Sequence, residues 1–288
     1  MTSDTEHYPP SVARRVVVER AADAEPPLPR ALLAVTRALE AWRPGAPLRY
    51  AGDPPRPFEV TEQALASYLS EVRRAWAAYE PEIFRLADAE GSPRLALFFN
   101  EEQTPWGRIE SLWFSLPADL SAPEFSLDRL AALLASVCEG FGAYHGAVED
   151  ERLMMLYRAR RAAERARAQL PPELRGFVPD APPLAGVEGA LPPLLLPQEF
   201  DRRRVPDAVW WINFWGASQV REVSPERARA AGWERAAEQA GGGMVLAATE
   251  EPTEVTDAAH LRLLRGIIER LGLYDLQRRH GREGMEGA

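Results

Sequence analysis

Four histidines are the side chains best suited to acid–base or metal chemistry near neutral pH. They are His7, His145, His260 and His280. None has a second histidine or a cysteine at metal-binding spacing, so the sequence predicts no metal site. His145 lies at the edge of a predicted strand, and it is the histidine around which a catalytic pocket is considered below.

Other short motifs that could do chemistry occur in unsuitable surroundings. The single cysteine, Cys138, lies on the apolar face of a predicted helix, where we expect a buried structural thiol. The run Gly241-Gly242-Gly243 precedes a predicted strand, whereas a phosphate-binding glycine loop follows a strand and opens a helix. The sequence has no Gly-x-Ser-x-Gly motif. We therefore predict no catalytic residue and no cofactor site.

Carboxylates near aromatic side chains are the candidates for contact with another protein. Glu101 and Glu102 begin a predicted polar loop that also holds Trp106, and Glu149 and Asp150 begin a long predicted helix. Aromatic anchors contribute much of the binding energy of protein interfaces. We predict these five residues as partner-binding residues. The alternative is that the loop is merely solvated, with Trp106 folded onto the sheet, and that the acidic pair caps its helix.

The elements that must position these residues mix strands and helices. Apolar residues at helical spacing predict helices over residues 28–42, 61–79, 127–137, 149–170, 225–237 and 257–271. Alternating or β-branched runs predict strands over residues 12–19, 94–100, 108–116, 140–148, 208–215 and 244–249. Because this order lacks a steady βαβ alternation, the sequence predicts an α+β fold, with an antiparallel or mixed sheet and helices packed mainly on one face.

Proline clusters suggest how the chain is divided. We predict a flexible arm at residues 1–13, an N-terminal α+β part at 14–170, a proline-rich packed linker at 171–205, a C-terminal α+β part at 206–276 that completes the same domain, and a flexible tail at 277–288. Eight prolines exclude regular structure from the linker. Its leucines suggest that it packs over the body of the protein.

Composition indicates which class of partner the protein binds and in which compartment it lies. The net charge is −9, and all 34 cationic side chains are arginine. This balance argues against general binding of nucleic acid, which requires basic surface. A single cysteine fits a reducing compartment. Neither a signal peptide nor an apolar run of about 20 residues is evident, so we predict a cytoplasmic protein without membrane contact.

Residues 206–249 form the most aromatic stretch and hold four of the eight tryptophans. Five segments in and around this stretch resemble immunity protein 52 and related type VI immunity families of polymorphic toxin systems, in their myxobacterial members. They are Leu191-Pro192-Pro193-Leu194, the aromatic strand Val209–Trp215, the glycine turn and strand Gly241–Thr249, Glu251-Pro252, and the helix start Val255–Leu261.

The resemblance implies a protein that binds and neutralises a cognate toxin stoichiometrically, without catalysis and without a cofactor. In related systems that toxin is often a nuclease of the restriction-endonuclease fold. An acidic inhibitor would complement the positive cleft of such a nuclease. The resemblance carries over no catalytic residue. Two alternatives stay open: an enzyme with a pocket near His145 and the tryptophan-rich strand, and a scaffold or regulatory protein.

Overall fold

Ten strands form one antiparallel sheet in the computed structural model, which describes residues 14–80, 82–90, 94–117, 119–177, 194–196, 199–254 and 257–281. The strands are β1 (Arg14–Ala21), β2 (Tyr50–Ala51), β3 (Arg56–Pro57), β4 (Phe84–Ala87), β5 (Ala96–Thr104), β6 (Gly107–Ser115), β7 (His145–Asp150), β8 (Ile212–Trp215), β9 (Arg235–Glu238) and β10 (Met244–Ala247). Their order is β3-β2-β4-β5-β6-β1-β7-β8-β10-β9, and each neighbouring pair is antiparallel.

Eight α-helices accompany the sheet in the described part of the chain. They are α1 (Leu28–Trp42), α2 (Glu62–Ala77), α3 (Leu127–Phe141), α4 (Glu151–Gln169), α5 (Ala217–Val223), α6 (Pro225–Ala230), α7 (Ala258–Leu271) and α8 (Leu273–Arg279). Short polar side chains begin several of them: Thr61 accepts a hydrogen bond from the Ala64 amide, and Asp257 accepts one from the Ala259 amide. Such caps satisfy amides that a helix start leaves without a partner.

Helices α1, α2 and α3 cover one face of the sheet, which we call the first face. Their apolar residues pack against residues of eight strands, from Ala51 in β2 to Val245 in β10. Val16 and Val18 of β1 lie at the centre of this core, and both are almost fully buried. Strand alternation therefore sends Arg15, Val17 and Glu19 to the opposite face.

The second face is covered mainly at its C-terminal end. Ala147, Trp215, Met244 and Leu246 pack there against apolar residues of α5, α6, α7 and α8. Over β5, β6 and β1 the same face carries polar and aromatic side chains and opens into a pocket. The first face thus carries a continuous apolar core with ion pairs at one end, such as Arg20 with Glu110, and the second face is divided.

The predicted α+β class is confirmed, and the sheet is antiparallel, with helices on the second face as well as the first. The boundary predicted at residue 276 falls inside α8, where Gln277 is fully buried. The predicted arm at 1–13, residues 178–193 and 197–198 of the predicted linker, and residues 282–288 of the predicted tail lie outside the described residues. No helix in the described ranges is both long enough and apolar enough to cross a membrane.

Candidate functional site

A pocket of about 260 Å³ opens on the second face of the sheet, and we call it the sheet-face pocket. Its floor consists of β5, β6, β1 and the end of β7, and its walls come from residues 194–196, residues 202–210 and the start of α4. The lining residues are Arg15, Val17, Glu19, Asn100, Glu102, Ser111, Trp113, Glu149, Met154, Leu194, Leu195, Leu196, Arg202, Asp207, Ala208 and Trp210. Polar groups that converge in a concave site are typical of ligand and partner binding.

Strand register aligns a row of polar residues across this floor. Asn100 pairs with Ser111, Ser111 with Glu19, and Glu19 with His145, so the four residues cross β5, β6, β1 and β7. Because directly paired residues point to the same side of an antiparallel sheet, their side chains form one line on the second face. The next row carries Trp113 and Val17, which are apolar.

Arg202 connects two carboxylates of the pocket. Its Nη1 donates to Glu19 Oε1 at 2.6 Å, and its Nη2 donates to Glu102 Oε2 at 2.6 Å. The Tyr144 hydroxyl donates to the second oxygen of Glu19 at 2.8 Å. Burial disfavours the charged guanidinium, but attraction to Glu19 and Glu102 outweighs burial, and the pKa of Arg202 is raised. Arg202 therefore remains a fixed cation in the wall.

Glu149 is the titratable group that the pocket perturbs near neutral pH. Burial, with smaller contributions from the charges of Asp207 and Glu19, raises the pKa of Glu149 to about 7, although Arg15 opposes the shift. Both Nε and Nη2 of Arg15 lie 3.0 Å from Glu149 Oε2. A carboxyl group with this pKa exchanges its proton at neutral pH, which is common at functional sites.

Aromatic side chains form the apolar surfaces of the site. Trp113 on the floor stacks on Phe98 with ring centroids 5.6 Å apart and planes 12° apart. Trp210 in the wall is buried, and its Nε1 donates to Asp207 Oδ1 at 3.3 Å. The Trp210 contact fixes the carboxylate of Asp207, whose side chain is 17% exposed.

Two buried glutamines hold the walls. Gln277 of α8 donates to the carbonyls of Pro206 and Asp207, at 2.9 and 2.8 Å, and its Oε1 accepts from the Leu195 amide at 3.0 Å. Gln219 of α5 donates to the carbonyl of Arg202 at 2.7 Å. Helices of the C-terminal part therefore fix both wall segments, and the pocket is formed before any ligand arrives.

His145 lies beneath this site. It is 3% exposed, its Nε2 is 3.7 Å from Asp207 Oδ1, and neither ring nitrogen has a hydrogen-bond partner among the described residues. A buried polar ring without partners is uncommon in native proteins. The polar residues near His145 are Asp207, at 3.7 Å, and Glu19, its neighbour across the β1–β7 pair.

The structure separates the two loop acids that the sequence grouped together. β5 extends to Thr104, so Glu101 and Glu102 lie in the strand and not in a loop, and they point to opposite faces. Glu101 lies on the first face and forms an ion pair with Arg73 of α2. Glu102 lies on the second face and lines the sheet-face pocket. The two residues therefore cannot form one contact surface.

The other three predicted contact residues also lie in different surroundings. Trp106 is half-buried in the β5–β6 turn, outside the set of residues that line the pocket. Glu149 is buried in the pocket. Asp150 is 4% exposed and caps α4, because its Oδ1 accepts from the amides of Arg152 and Leu153.

Sequence reasoning missed Glu19, Arg202 and Asp207. Arg202 and Asp207 lie far in sequence from β1, and only the fold brings them over the sheet. Glu19 is separated from Val17 by one residue of the predicted strand, so strand alternation places both on one face, but three consecutive valines hide which face is polar. No group of three His, Cys, Asp or Glu side chains in the described ranges is arranged to hold a metal ion.

Comparison with known proteins identifies the family. Residues 71–273 match the family described as "Domain of unknown function (DUF5953)", and the chain belongs to this family. The matched range contains the whole pocket except its β1 floor.

A structure titled Pseudomonas aeruginosa T6SS protein PA0821 is similar to the chain, with 14% identity and a TM-score of 0.49. The similarity covers 91% of this chain and 73% of the other. At this level the likeness says nothing about activity or partners. The search of curated proteins found no match.

Proposed function

We propose that this protein is a cytoplasmic immunity protein of a type VI polymorphic toxin system, which binds a cognate toxin and neutralises it without catalysis. The observation that carries the proposal is the sheet-face pocket, an acid-rich site open to a partner on the half of the second face that α5–α8 leave uncovered. The resemblance of the aromatic stretch to immunity protein families supports the same class of function.

The charge of the site favours a basic partner. Four carboxylates and two guanidinium groups line the pocket, and the whole chain carries a net charge of −9. A nuclease toxin needs a positive surface to bind phosphate. Opposite charges on two partners raise the rate of association and disfavour wrong partners, and both effects serve an antidote.

The rigidity of the site also favours recognition. Gln277 and Gln219 fix the wall segments, and Arg202 fixes the carboxylates of Glu19 and Glu102. A site that is ordered before binding loses less conformational entropy when the complex forms.

Co-expression tests this proposal directly. The product of the neighbouring gene is expressed in a bacterial host with and without the chain, and a complex is purified from the co-expressing cells. We expect toxicity that the chain suppresses, together with an equimolar complex. A harmless neighbour, or toxicity that persists without complex formation, would refute the proposal.

A second candidate function is that of an enzyme, and it depends on the carboxyl group of Glu149. A buried carboxyl group with a pKa of about 7 lies in the same pocket as Asp207, and two carboxyl groups in different environments can act as acid and base. The stoichiometry of inhibition separates the two candidates. A binding protein suppresses toxin activity linearly up to an equimolar ratio. An enzyme that inactivates the toxin suppresses it fully at a small molar fraction, given time.

A further inference from the structure

We propose that the sheet-face pocket receives one basic side chain of the toxin, a guanidinium or ammonium group that packs on Trp113 and donates hydrogen bonds to Asp207 and Glu102. This inference rests on the proposed function and specifies what the pocket recognises. It follows from three observations: the charge balance of the lining, the polar atoms left without partners, and the aromatic surfaces.

The charge balance leaves a deficit of cations. Arg202 forms ion pairs with Glu19 and Glu102, and Arg15 forms one with Glu149. Two guanidinium groups are therefore paired with three of the four carboxylates that line the pocket. Among the described residues, the carboxylate of Asp207 accepts only the weaker, uncharged N–H of Trp210 at 3.3 Å, and the one cationic group within ion-pair distance is His145 at 3.7 Å, if protonated. An incoming cation beside Asp207 would complete the charge balance of the site.

The buried ring nitrogens of His145 have no hydrogen-bond partner among the described residues, and they lie beside the same carboxylate. His145 Nε2 and Asp207 Oδ1 are 3.7 Å apart, which is too long for a hydrogen bond between them. Both atoms are acceptors when His145 is neutral with its proton on Nδ1. A cation with several N–H groups, such as guanidinium or ammonium, would supply hydrogen-bond donors that the described part of the chain does not place between these two atoms.

The chemistry of the lining selects an organic cation. A metal ion is disfavoured, because the described residues contain no metal-binding group of three His, Cys, Asp or Glu side chains. Trp113 on the floor is half-buried and offers aromatic surface, and cations bind favourably over the faces of tryptophan rings. The apolar stem of an arginine or lysine side chain would pack on the same surfaces.

The probe for this inference is N-acetyl-arginine amide, with N-acetyl-citrulline amide as its uncharged match. Each compound is titrated into the full chain while the tryptophan indole N–H signals are followed by NMR. Substitution of Trp113 and Trp210 by phenylalanine assigns their signals. We expect saturable shifts of these two signals with the arginine probe and none with the citrulline probe.

Asp207→Asn tests the recognition residue, because asparagine keeps an oxygen acceptor for Trp210 and loses the charge. We expect the dissociation constant of the arginine probe to rise about tenfold, as for loss of a charge-assisted hydrogen bond. Glu139→Gln, on α3 at the first face, is the matched control and should leave the constant unchanged. Ser111→Arg places a basic side chain on the pocket floor and should abolish probe binding, which keeps the test valid if Asp207→Asn fails to fold.

The outcomes separate this inference from the proposed function. Equal binding of the two probes, or equal affinity of Asp207→Asn and the wild type for the arginine probe, overturns the inference. If the toxin still forms its complex with Asp207→Asn at wild-type affinity, the proposed function stands without the inference. If the arginine probe binds in the pocket but the neighbouring gene's product forms no complex, the pocket chemistry stands and the immunity function fails.

Discussion

Replacing Glu149 with glutamine should change how the stability of the protein depends on pH. The ordinary pKa of a glutamate side chain is 4.5, and burial in the folded protein raises the pKa of Glu149 to about 7. Between these values the folded state holds a proton that the unfolded state has released. The contribution of Glu149 to stability is therefore fully present below pH 4.5 and is lost as pH rises through about 7.

The size of the effect follows from the shift. Each pKa unit corresponds to about 1.4 kcal/mol, so the free energy of unfolding falls by about 3 kcal/mol across this interval because of Glu149 alone. The residue is 5% exposed, so solvent screens the effect little. The charged groups that face it are Arg15, Asp207 and Glu19, and the glutamine variant retains all three.

Urea unfolding at pH 5, 6, 7 and 8 measures this prediction for the wild type, Glu149→Gln and the control Glu139→Gln. We expect the stability of the wild type relative to Glu149→Gln to fall by about 2.5 kcal/mol between pH 5 and pH 8, because the first part of the change occurs below pH 5. The control should follow the wild type at every pH. A constant difference between wild type and Glu149→Gln would show that Glu149 does not titrate in this range, and the electrostatic description of the pocket would be wrong.

Three further predictions concern single side chains. Tyr79 is 97% exposed, and its φ of 59° is a backbone conformation that favours glycine. Tyr79→Gly should therefore raise the free energy of unfolding by about 1 kcal/mol in urea titration, and a decrease would refute this. Gln277→Ala removes the side-chain partner of one buried and two half-buried backbone groups and should lower the free energy of unfolding by about 2 kcal/mol; an unchanged value would show that Gln277 does not hold the walls. Glu102→Gln should weaken toxin binding about fivefold in calorimetry, whereas Glu101→Gln should not; equal effects would contradict the assignment of the binding face.

The regular spacing of apolar residues in the sequence predicted most of the helices and strands that build the first face. Apolar residues at helical spacing located α1 at Leu28–Trp42 as observed, and the strands predicted over residues 94–100 and 108–116 correspond to β5 and β6, which pair as a hairpin. These elements bury a continuous apolar surface, which leaves a strong pattern in the sequence.

Short elements in the C-terminal part were predicted less well. The helix expected over residues 225–237 ends at Ala230, and Arg235–Glu238 forms the edge strand β9. The exposed alanines and charged residues of β9 carry no strand pattern, and pairing with β10 determines its conformation. Tertiary context overrode local propensity here.

The candidate site was only partly accessible from the sequence. Glu102 and Glu149 were selected and line the pocket, but Glu101 was grouped with Glu102 because β5 was expected to end at Asn100. Extending the strand to Thr104 would have separated the two acids by simple alternation. Arg202 and Asp207 could not be assigned, because a contact such as that of Arg202 with Glu19 joins residues far apart in sequence.

The central claim is that the sheet-face pocket, and not the first face, contacts the toxin. Carboxylate footprinting with a carbodiimide and glycine ethyl ester tests it most directly, because the chain has no lysine side chain that could cross-link its own acids. We expect Glu102 to be labelled in the free chain and protected in the complex, while Asp128 and Glu139 of α3 are labelled equally in both. Unchanged labelling of Glu102, with protection of Asp128 or Glu139, would contradict the claim.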